Sequence, residues 1–428
     1  IVRLSGADAR VIAETLTART LVPRRADLAY FRDSDGEPLD QGLVLYFAAP
    51  ASYTGEDSAE FHCHGSPVVL SMVLDRCVEL GARTARPGEF TERAYLNGKL
   101  DLPQAEAVAD VIDASSRQAA RSAVRSLEGA FSKELVALRQ ALINLRILVE
   151  ASLDFPEDDA GVISTNDLNE RISHLRLELD GIIRRAGQGK LLREGARVVL
   201  LGEANVGKSS LLNALAGDEL AIVTDVPGTT RDLVRAVVLV NGIPFTIIDT
   251  AGLRPTADVV ERMGIERAVA AAETADLVLQ VVDGPMAPNA VDPEFVVPVT
   301  LPRRRIVVRN KIDLRGEPAS TVKLEGIPVL SVSARTGEGL DLLRTALAES
   351  VGADSEAFEG VYLSRSRHVE ALRAASANLR QAGSLGRDGL ELVAEELRYA
   401  EVRLGDILGR RTSDDLLGDI FRSFCIGK

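Results

Sequence analysis

The sequence predicts a multidomain α/β protein: a small N-terminal α+β domain, an all-α helical domain, and a doubly wound α/β domain inserted into the helical one. Three observations carry this prediction. Residues 1–98 alternate short apolar runs with turn signals around one helical stretch. Residues 104–155 hold almost no Gly or Pro and repeat apolar residues at helical spacing. Residues 195–353 alternate strand and helix patterns, and helical texture resumes after them. A chain of 428 residues suits two to four domains at about 100–200 residues each.

In the first domain, 42–47 and 59–64 read as strands and 66–80 as a helix. From about Pro103 the helical domain begins. Leu135, Leu138, Leu142, Leu145 and Val149 form one apolar stripe, an acidic turn follows at 154–159, and a second helix is expected over 166–192. In the inserted domain, 197–201 reads as a buried parallel strand. Asn241-Gly242 between 236–240 and 243–248 marks a hairpin, and further strands fall at 277–282, 305–309 and 329–332. Ser413 is placed to cap a last helix at Asp414. The expected boundaries are 1–98, 99–194, 195–353 and 354–428, the second and fourth segments forming the two parts of the helical domain.

Composition narrows the function classes. A hydrophobic fraction of 46% supports sizeable cores. Aromatics at 4% with no Trp disfavour a stacking platform for single-stranded nucleic acid. The net charge of −13 argues against a generally basic nucleic-acid surface while leaving room for a local groove. Arg24-Arg25, Arg303-Arg304-Arg305 and Arg410-Arg411 read as solvated surface charge. Three cysteines (Cys63, Cys77, Cys425), widely spaced, give no disulfide framework and point to a reducing cytoplasm. No run of about 18 apolar residues predicts a membrane span, and no signal peptide is visible. The chain opens at Ile1 without Met, inside a strand pattern, which predicts a further segment ahead of it.

The inserted domain carries an ordered nucleotide signature. Gly202-Glu203-Ala204-Asn205-Val206-Gly207-Lys208-Ser209 fits G-x-x-x-x-G-K-[ST] between a strand and a helix. Its backbone N–H groups cradle phosphates, Lys208 reaches the β- and γ-phosphates, and the Ser209 hydroxyl is a Mg²⁺ ligand. Asp249-Thr250-Ala251-Gly252 follows, with Asp249 holding Mg²⁺ through water and the Gly252 N–H sensing the γ-phosphate. Asn310-Lys311-Ile312-Asp313 selects guanine, because Asp313 accepts from N1–H and the exocyclic amine. Ser333-Ala334-Arg335 supports the base. Gly228-Thr229-Thr230 sits where a first switch belongs, with Thr230 the second Mg²⁺ hydroxyl. The expected nucleotide contacts are Asn205 to Ser210, Thr224, Asp225, Val226, Pro227, Gly228 to Thr230, Asp249 to Gly252, Asn310, Lys311, Asp313 and Ser333 to Arg335. These elements predict a Ras-like doubly wound P-loop GTPase domain that binds GTP and GDP.

Where many GTPases place a water-orienting Gln after Asp-x-x-Gly, this chain has Leu253. Asn205 is placed to help bind a monovalent cation. Glu261 and Glu266 are carboxylates that could align the water, but from spacing alone each reads first as a plain surface carboxylate. His62-Cys63-His64 lacks a third and fourth metal ligand and reads as strand residues near a ligand pocket.

Outside the GTPase signature stand Ser52-Tyr53-Thr54-Gly55-Glu56-Asp57, Pro87-Gly88-Glu89-Phe90-Thr91 and Leu96-Asn97-Gly98-Lys99-Leu100-Asp101-Leu102. Gln104-Ala105-Glu106-Ala107 and the tail Phe424-Cys425-Ile426-Gly427-Lys428 complete the set. On these motifs nearly the whole chain resembles the TrmE/MnmE family of tRNA-modification GTPases. The resemblance implies an N-terminal folate-binding-type domain that takes a 5-formyl-tetrahydrofolate or related folate at Arg3, Glu60, Lys99 and Lys428, and that makes a homodimer. It implies K⁺ at Asn205, Thr224, Val226 and Thr229, Mg²⁺ at Ser209 and Thr230, and catalysis by Glu261 with Lys208. It also implies a heterotetramer with an FAD-binding partner of the MnmG/GidA type. Together they would add an aminomethyl or carboxymethylaminomethyl group to C5 of the wobble uridine of certain tRNAs. Two departures stand out: the family's Gly-rich segment ahead of Arg3 is absent, and Glu203-Ala204 replaces the usual Pro before Asn205. The first bears on folate affinity and dimer contacts. Alternatives on the motifs alone are a ribosome-assembly or RNA-checkpoint GTPase, and a folate-dependent one-carbon transferase regulated by GTP.

Overall fold

The computed structural model describes residues 1–154, 164–203, 205–217, 234–249, 275–283, 304–353, 358, 360–385, 389–409 and 420–421. They belong to two compact units, one made of 1–109, 126–163 and 385–428, the other of 110–125 and 164–384.

The first unit is built on an antiparallel sheet in the order β1-β4-β3-β2: β1 (Val2–Ser5), β2 (Asp27–Arg32), β3 (Pro38–Phe47) and β4 (Ser58–His62). Alternation does the work. Val2, Leu4, Ala29, Phe31, Val44, Tyr46, Ala59 and Phe61 point inward and are buried. Phe31 and Phe61 meet edge to face at 5.4 Å and 81°. Helices α1 (Ala9–Thr17) and α2 (Pro67–Glu79) pack on this sheet through Ile12, Leu16, Val73 and Cys77. The opposite face carries Arg3, Glu60 and His62, set side by side by the registers Arg3↔Glu60 and Leu43↔His62. Next come α3 (Glu89–Leu96) and α4 (Leu102–Ile112), the latter beginning in this unit.

The apolar stripe from Leu135 to Val149 is buried on α6 (Ala130–Asp154). The run 104–155 is nonetheless three helices: α4, α5 (Arg117–Leu127) and α6. The second break falls at Gly129, which takes φ +81. Helix α7 (Thr165–Glu194) fulfils the expectation for 166–192, with Ser164 Oγ accepting from the Asp167 N–H at 3.1 Å as its cap.

The second unit holds a seven-stranded sheet in the order β10-β11-β9-β8-β5-β7-β6. Its strands are β5 (Ala196–Leu201), β6 (Val234–Val240), β7 (Ile243–Asp249), β8 (Leu277–Asp283), β9 (Arg305–Asn310), β10 (Ser320–Leu324) and β11 (Ile327–Ser331). Strands β7, β5, β8, β9 and β11 run parallel, and β6 and β10 are antiparallel edges. The hairpin at Asn241-Gly242 forms with both residues at positive φ (53 and 80), as a two-residue turn of this twist requires. Strand β10 was not anticipated. All five of its residues are exposed, so it shows no apolar pattern to read. Helices α8 (Lys208–Ala216), α9 (Leu340–Ser350) and α10 (Ser366–Leu385) follow in this unit, and α11 (Leu390–Ile407) belongs to the first, against α6. The Ser413 cap lies outside the described residues. Cys63 and Cys77 are free thiols. Burial pushes the Cys77 thiol up to about 12, which keeps it protonated and inert.

One charged cluster anchors the first unit. Glu89 is 4% exposed and accepts from Arg83, from the Arg86 N–H at 2.9 Å and from Arg93 at 2.9 Å; Arg93 also holds Glu56 at 2.8 Å. Arg83 above all, then the other donors, hold the Glu89 carboxyl down at about 2 against the cost of burial. Its folded value lies below its unfolded one. The stabilisation it brings is therefore present above the ordinary carboxylate range and is lost as pH falls toward 2. Glu89→Gln is expected to destabilise this unit by about 2 kcal/mol at neutral pH and to flatten the acid limb of its stability. Thermal unfolding of both proteins from neutral pH down to about pH 3 checks it, the gap between them closing as the carboxylate protonates.

Candidate guanine-nucleotide site

Strand β5 lies at the reversal point of the sheet: the chain winds outward on one side through β7 and β6, then crosses to β8, β9 and β11 on the other. The crevice beyond the carboxyl ends at such a point is where an α/β sheet binds ligands. The phosphate loop leaves β5 there and enters α8 at Gly207.

The loop is shaped by residues at left-handed φ: Gly202 at 151, Asn205 at 63 and Gly207 at 98. A Cβ on Gly202 would lie 2.2 Å from the Val281 carbonyl oxygen, and one on Gly207 only 2.3 Å from the Asn310 Nδ2. Both glycines are therefore required by close approach as well as by φ. Lys208 is buried, with Nζ donating to the Gly202 and Glu203 carbonyls at 2.6 and 2.7 Å. Ser209 and Ser210 follow in the first turn of α8, whose N-terminal end directs backbone N–H groups and positive potential toward an anion.

Asn310, at the end of β9, is 2% exposed. Its Nδ2 donates to the Val206 carbonyl at 2.9 Å and its Oδ1 accepts from the Ala334 N–H at 3.0 Å. One amide thus ties the phosphate loop to the Ser333-Ala334-Arg335 loop. Ser333 Oγ donates to Asp313 Oδ1 at 2.7 Å and accepts from the Thr336 N–H at 3.1 Å, which fixes the orientation of the carboxylate. Lys311 takes φ 64 and donates from Nζ to Asp283 Oδ2 at 2.6 Å.

Two residues of this site were missed in the sequence. Asp283 ends β8 opposite Asn310 in the parallel register, and it holds both Lys311 and Arg315, the latter at 3.1 Å. Arg315 in turn donates to the Asn310 carbonyl at 2.8 Å. The Lys311 hydrogen bond, then the two positive charges, hold the Asp283 carboxyl below the usual range. The available signal was an acid closing the strand Leu277–Asp283, where the functional loops of a doubly wound sheet gather.

The structure therefore brings together Asn205, Val206, Gly207, Lys208, Ser209, Ser210, Asn310, Lys311, Asp313, Ser333, Ala334 and Arg335, with the backbone of Asp249 ending β7 beside β5. Thr224 to Thr230, Thr250, Ala251, Gly252, Glu261 and Lys428 lie outside the described residues.

In the first unit Arg3 and Glu60 meet, with Arg3 Nε donating to Glu60 Oε1 at 2.8 Å. The Arg3 guanidinium lies 5.7 Å from the ring centres of both Tyr53 and Phe90. Glu60 Oε2 faces His62 Nε2 at 3.5 Å, and that buried ring nitrogen has no hydrogen bond. Lys99 donates from Nζ to the Pro50 carbonyl at 3.0 Å. A cavity of about 740 Å³ between β1, α2 and α3 is lined by Arg3 and Phe90 but not by Glu60, His62 or Lys99. His64 is held by Asp40 at 2.8 Å. Among the described residues no His, Cys, Asp and Glu cluster could hold a metal ion, and no helix is long and apolar enough to cross a membrane.

Comparison with known proteins agrees with this anatomy. The family profile described as GTP-binding protein TrmE N-terminus matches residues 1–99, and that described as MnmE helical domain matches 102–425. The tRNA modification GTPase MnmE of Neisseria meningitidis serogroup A / serotype 4A is 51% identical over 428 residues, covering 100% of this chain and 95% of that one. The protein of the same name from Azoarcus sp. strain BH72 is 52% identical over 429 residues, covering 100% and 94%. Among solved structures, the G domain of the T. maritima FeoB iron transporter is 27% identical, covers 36% of this chain and 98% of its own, and superposes with a TM-score of 0.28.

Gly207→Ala is expected to weaken GDP binding at least about tenfold, since positive φ alone costs a non-glycine residue about 1–2 kcal/mol before the clash with Asn310 is added. Titration with a fluorescent GDP analogue reads this directly.

Proposed function

We propose for this chain, which belongs to the MnmE family of tRNA modification GTPases, that its GTP hydrolysis is K⁺-dependent and drives C5 modification of the wobble uridine of certain tRNAs. The chain is a GTP hydrolase coupled to tRNA modification. The finer reading has it act as a cytoplasmic homodimer with an FAD-binding partner protein, adding an aminomethyl or carboxymethylaminomethyl group with a folate as one-carbon carrier.

The observation that carries the hydrolytic half is the Asn310 amide, which locks the phosphate loop and the guanine loop into one cradle. Within it Lys208 offers a desolvated positive charge to the β- and γ-phosphates. The Ser209 hydroxyl, on the first turn of α8, suits a hard cation; with Thr230 it would hold Mg²⁺. Asn205, whose backbone takes left-handed φ in the loop, would take K⁺ together with carbonyls at Thr224, Val226 and Thr229. A bound monovalent cation supplies the charge that an arginine finger brings elsewhere. Glu261 aligns the attacking water in place of the missing Gln at Leu253.

For the folate, the donor set fits in part. Arg3 suits a glutamyl carboxylate. Glu60 keeps acceptor capacity at Oε2, next to an unpartnered His62 nitrogen, which suits a pterin edge. Lys99 and Lys428 complete the proposed set.

Glu261→Ala is expected to keep GTP affinity and lose at least about tenfold in turnover, and replacing K⁺ by Na⁺ should mimic much of that loss in the parent. Steady-state phosphate release with separate nucleotide titrations measures both; near-normal hydrolysis in the variant removes Glu261 from the mechanism. The pathway is tested by mass spectrometry of tRNA nucleosides from cells with and without this gene. C5-substituted wobble uridines should vanish with the gene and return with the intact copy, but not with Lys208→Ala. An unchanged profile would reject the assignment and direct attention to ribosome assembly.

A further inference from the structure

Helix α5 (Arg117–Leu127) contains three arginines and no acid. Arg117, Arg121 and Arg125 are all exposed, while Ala119, Ser122, Ala123 and Ser126 form the buried face. The arginines recur every four residues, so they share one side of the helix at steps of about 6 Å. No carboxylate pairs with any of them among the described residues.

On the neighbouring helix, Arg139 and Arg146 both pair with Glu401; elsewhere Arg3 pairs with Glu60, Arg193 with Asp110 and Arg309 with Glu317. Excess acid in a chain of net charge −13 makes such pairing easy. Like charges at i,i+4 destabilise a helix. The nearest acids along the chain, Asp113 and Glu128, stand just before and just after the helix and make no ion pair with the row.

We propose that this arginine row is a docking surface for the phosphate backbone of tRNA. The inference rests on the tRNA reading above and says where on this chain the RNA lies. Guanidinium groups are flat forks that take phosphate oxygens two at a time, and a row with a period of about 6 Å can follow one strand. The helix is also well placed to report what it holds. Ser116 caps it by accepting from the Ala119 N–H at 3.1 Å, and its hydroxyl donates to the Gly242 carbonyl at 2.8 Å. Gly242 turns the hairpin between β6 and β7, and β7 ends at Asp249 of the nucleotide site.

The test uses the full chain, alone and with its FAD-binding partner, titrated against a fluorescein-labelled tRNA transcript over a range of KCl concentrations. Arg117→Ala/Arg121→Ala/Arg125→Ala should bind at least about tenfold more weakly, and its slope of log affinity on log salt should shrink by about 2–3. The corresponding triple Lys variant should recover most of the slope. GTP hydrolysis without RNA should be unchanged, which also shows that the variant is folded; alanine at exposed helical positions favours the helix. A triple Ala variant with parental affinity and slope overturns the inference and leaves the tRNA reading standing. A parent chain that binds no tRNA in either form overturns that reading and this inference together. Lost capture of the FAD-binding partner with tRNA affinity intact would make the row a protein dock and overturn the RNA assignment.

Discussion

The buried amide of Asn310 is the contact on which the nucleotide site depends. Its side chain bonds both the phosphate loop and the guanine-supporting loop. Each bond is of ordinary length. Its weight comes from burial, because an amide at 2% exposure that lost either partner would leave a desolvated polar group costing about 1–3 kcal/mol. The loops therefore have one arrangement in which all the groups are satisfied. Gly207 follows from this: the amide reaches Val206 only because no Cβ stands at the next residue. So does the alignment of the N–H groups at the start of α8, which are held ready for an anion before one arrives. A second tier surrounds the first, in which Arg315 braces the Asn310 carbonyl and Asp283 anchors both Arg315 and Lys311.

The same economy governs how the seven-stranded sheet is joined to the helices of its own unit. The chain enters the sheet from the last turn of α7 and returns to α10 through 360–365. A single buried carboxylate, Asp110, accepts from Arg193 on the way in at 2.8 Å and from Arg365 on the way out at 3.2 Å. Glu194 takes the Ser366 N–H and hydroxyl at 3.1 and 2.9 Å. Gly189 lets the Tyr362 carbonyl come so close that a Cβ there would lie 1.9 Å from its oxygen. Both crossings are pinned at one place, so the sheet has a defined base within its unit.

Legibility in the sequence tracked the strength of the physical constraint. The phosphate loop, the parallel strands and the hairpin at Asn241-Gly242 were readable because each needs particular residues: glycine at positive φ, apolar runs buried on two faces, a turn matched to strand twist. The long helices α6 and α7 were readable from period alone. Strand β10 was invisible because an exposed edge imposes no burial pattern. The break of 104–155 into three helices hinged on one Gly and a short polar stretch, too weak a signal against a strong helical texture. Asp283 and Arg315 escaped because their role is set by register across two strands, and no local motif encodes register. Lys99 was grouped with Arg3 and Glu60 on family resemblance alone, because no local pattern around it encodes a ligand contact; its ammonium donates to the Pro50 carbonyl.

Net charge was the least informative of the sequence-level quantities, and the reason is screening. At physiological ionic strength the Debye length is about 8 Å, so a surface is felt by a polyanion over little more than one helical turn and a half. Whether an acidic chain can hold RNA is therefore decided by local arrangement. An arginine paired with glutamate, as Arg139 is with Glu401, is electrostatically spent; an unpaired one keeps its full charge for a partner. Helix α5 concentrates three of the second kind on one face and keeps its acids off the helix altogether. The total of −13 then acts in the opposite sense from a barrier: it discourages non-specific contact over most of the surface, so that a polyanion is oriented by rows in which positive charge is left uncompensated.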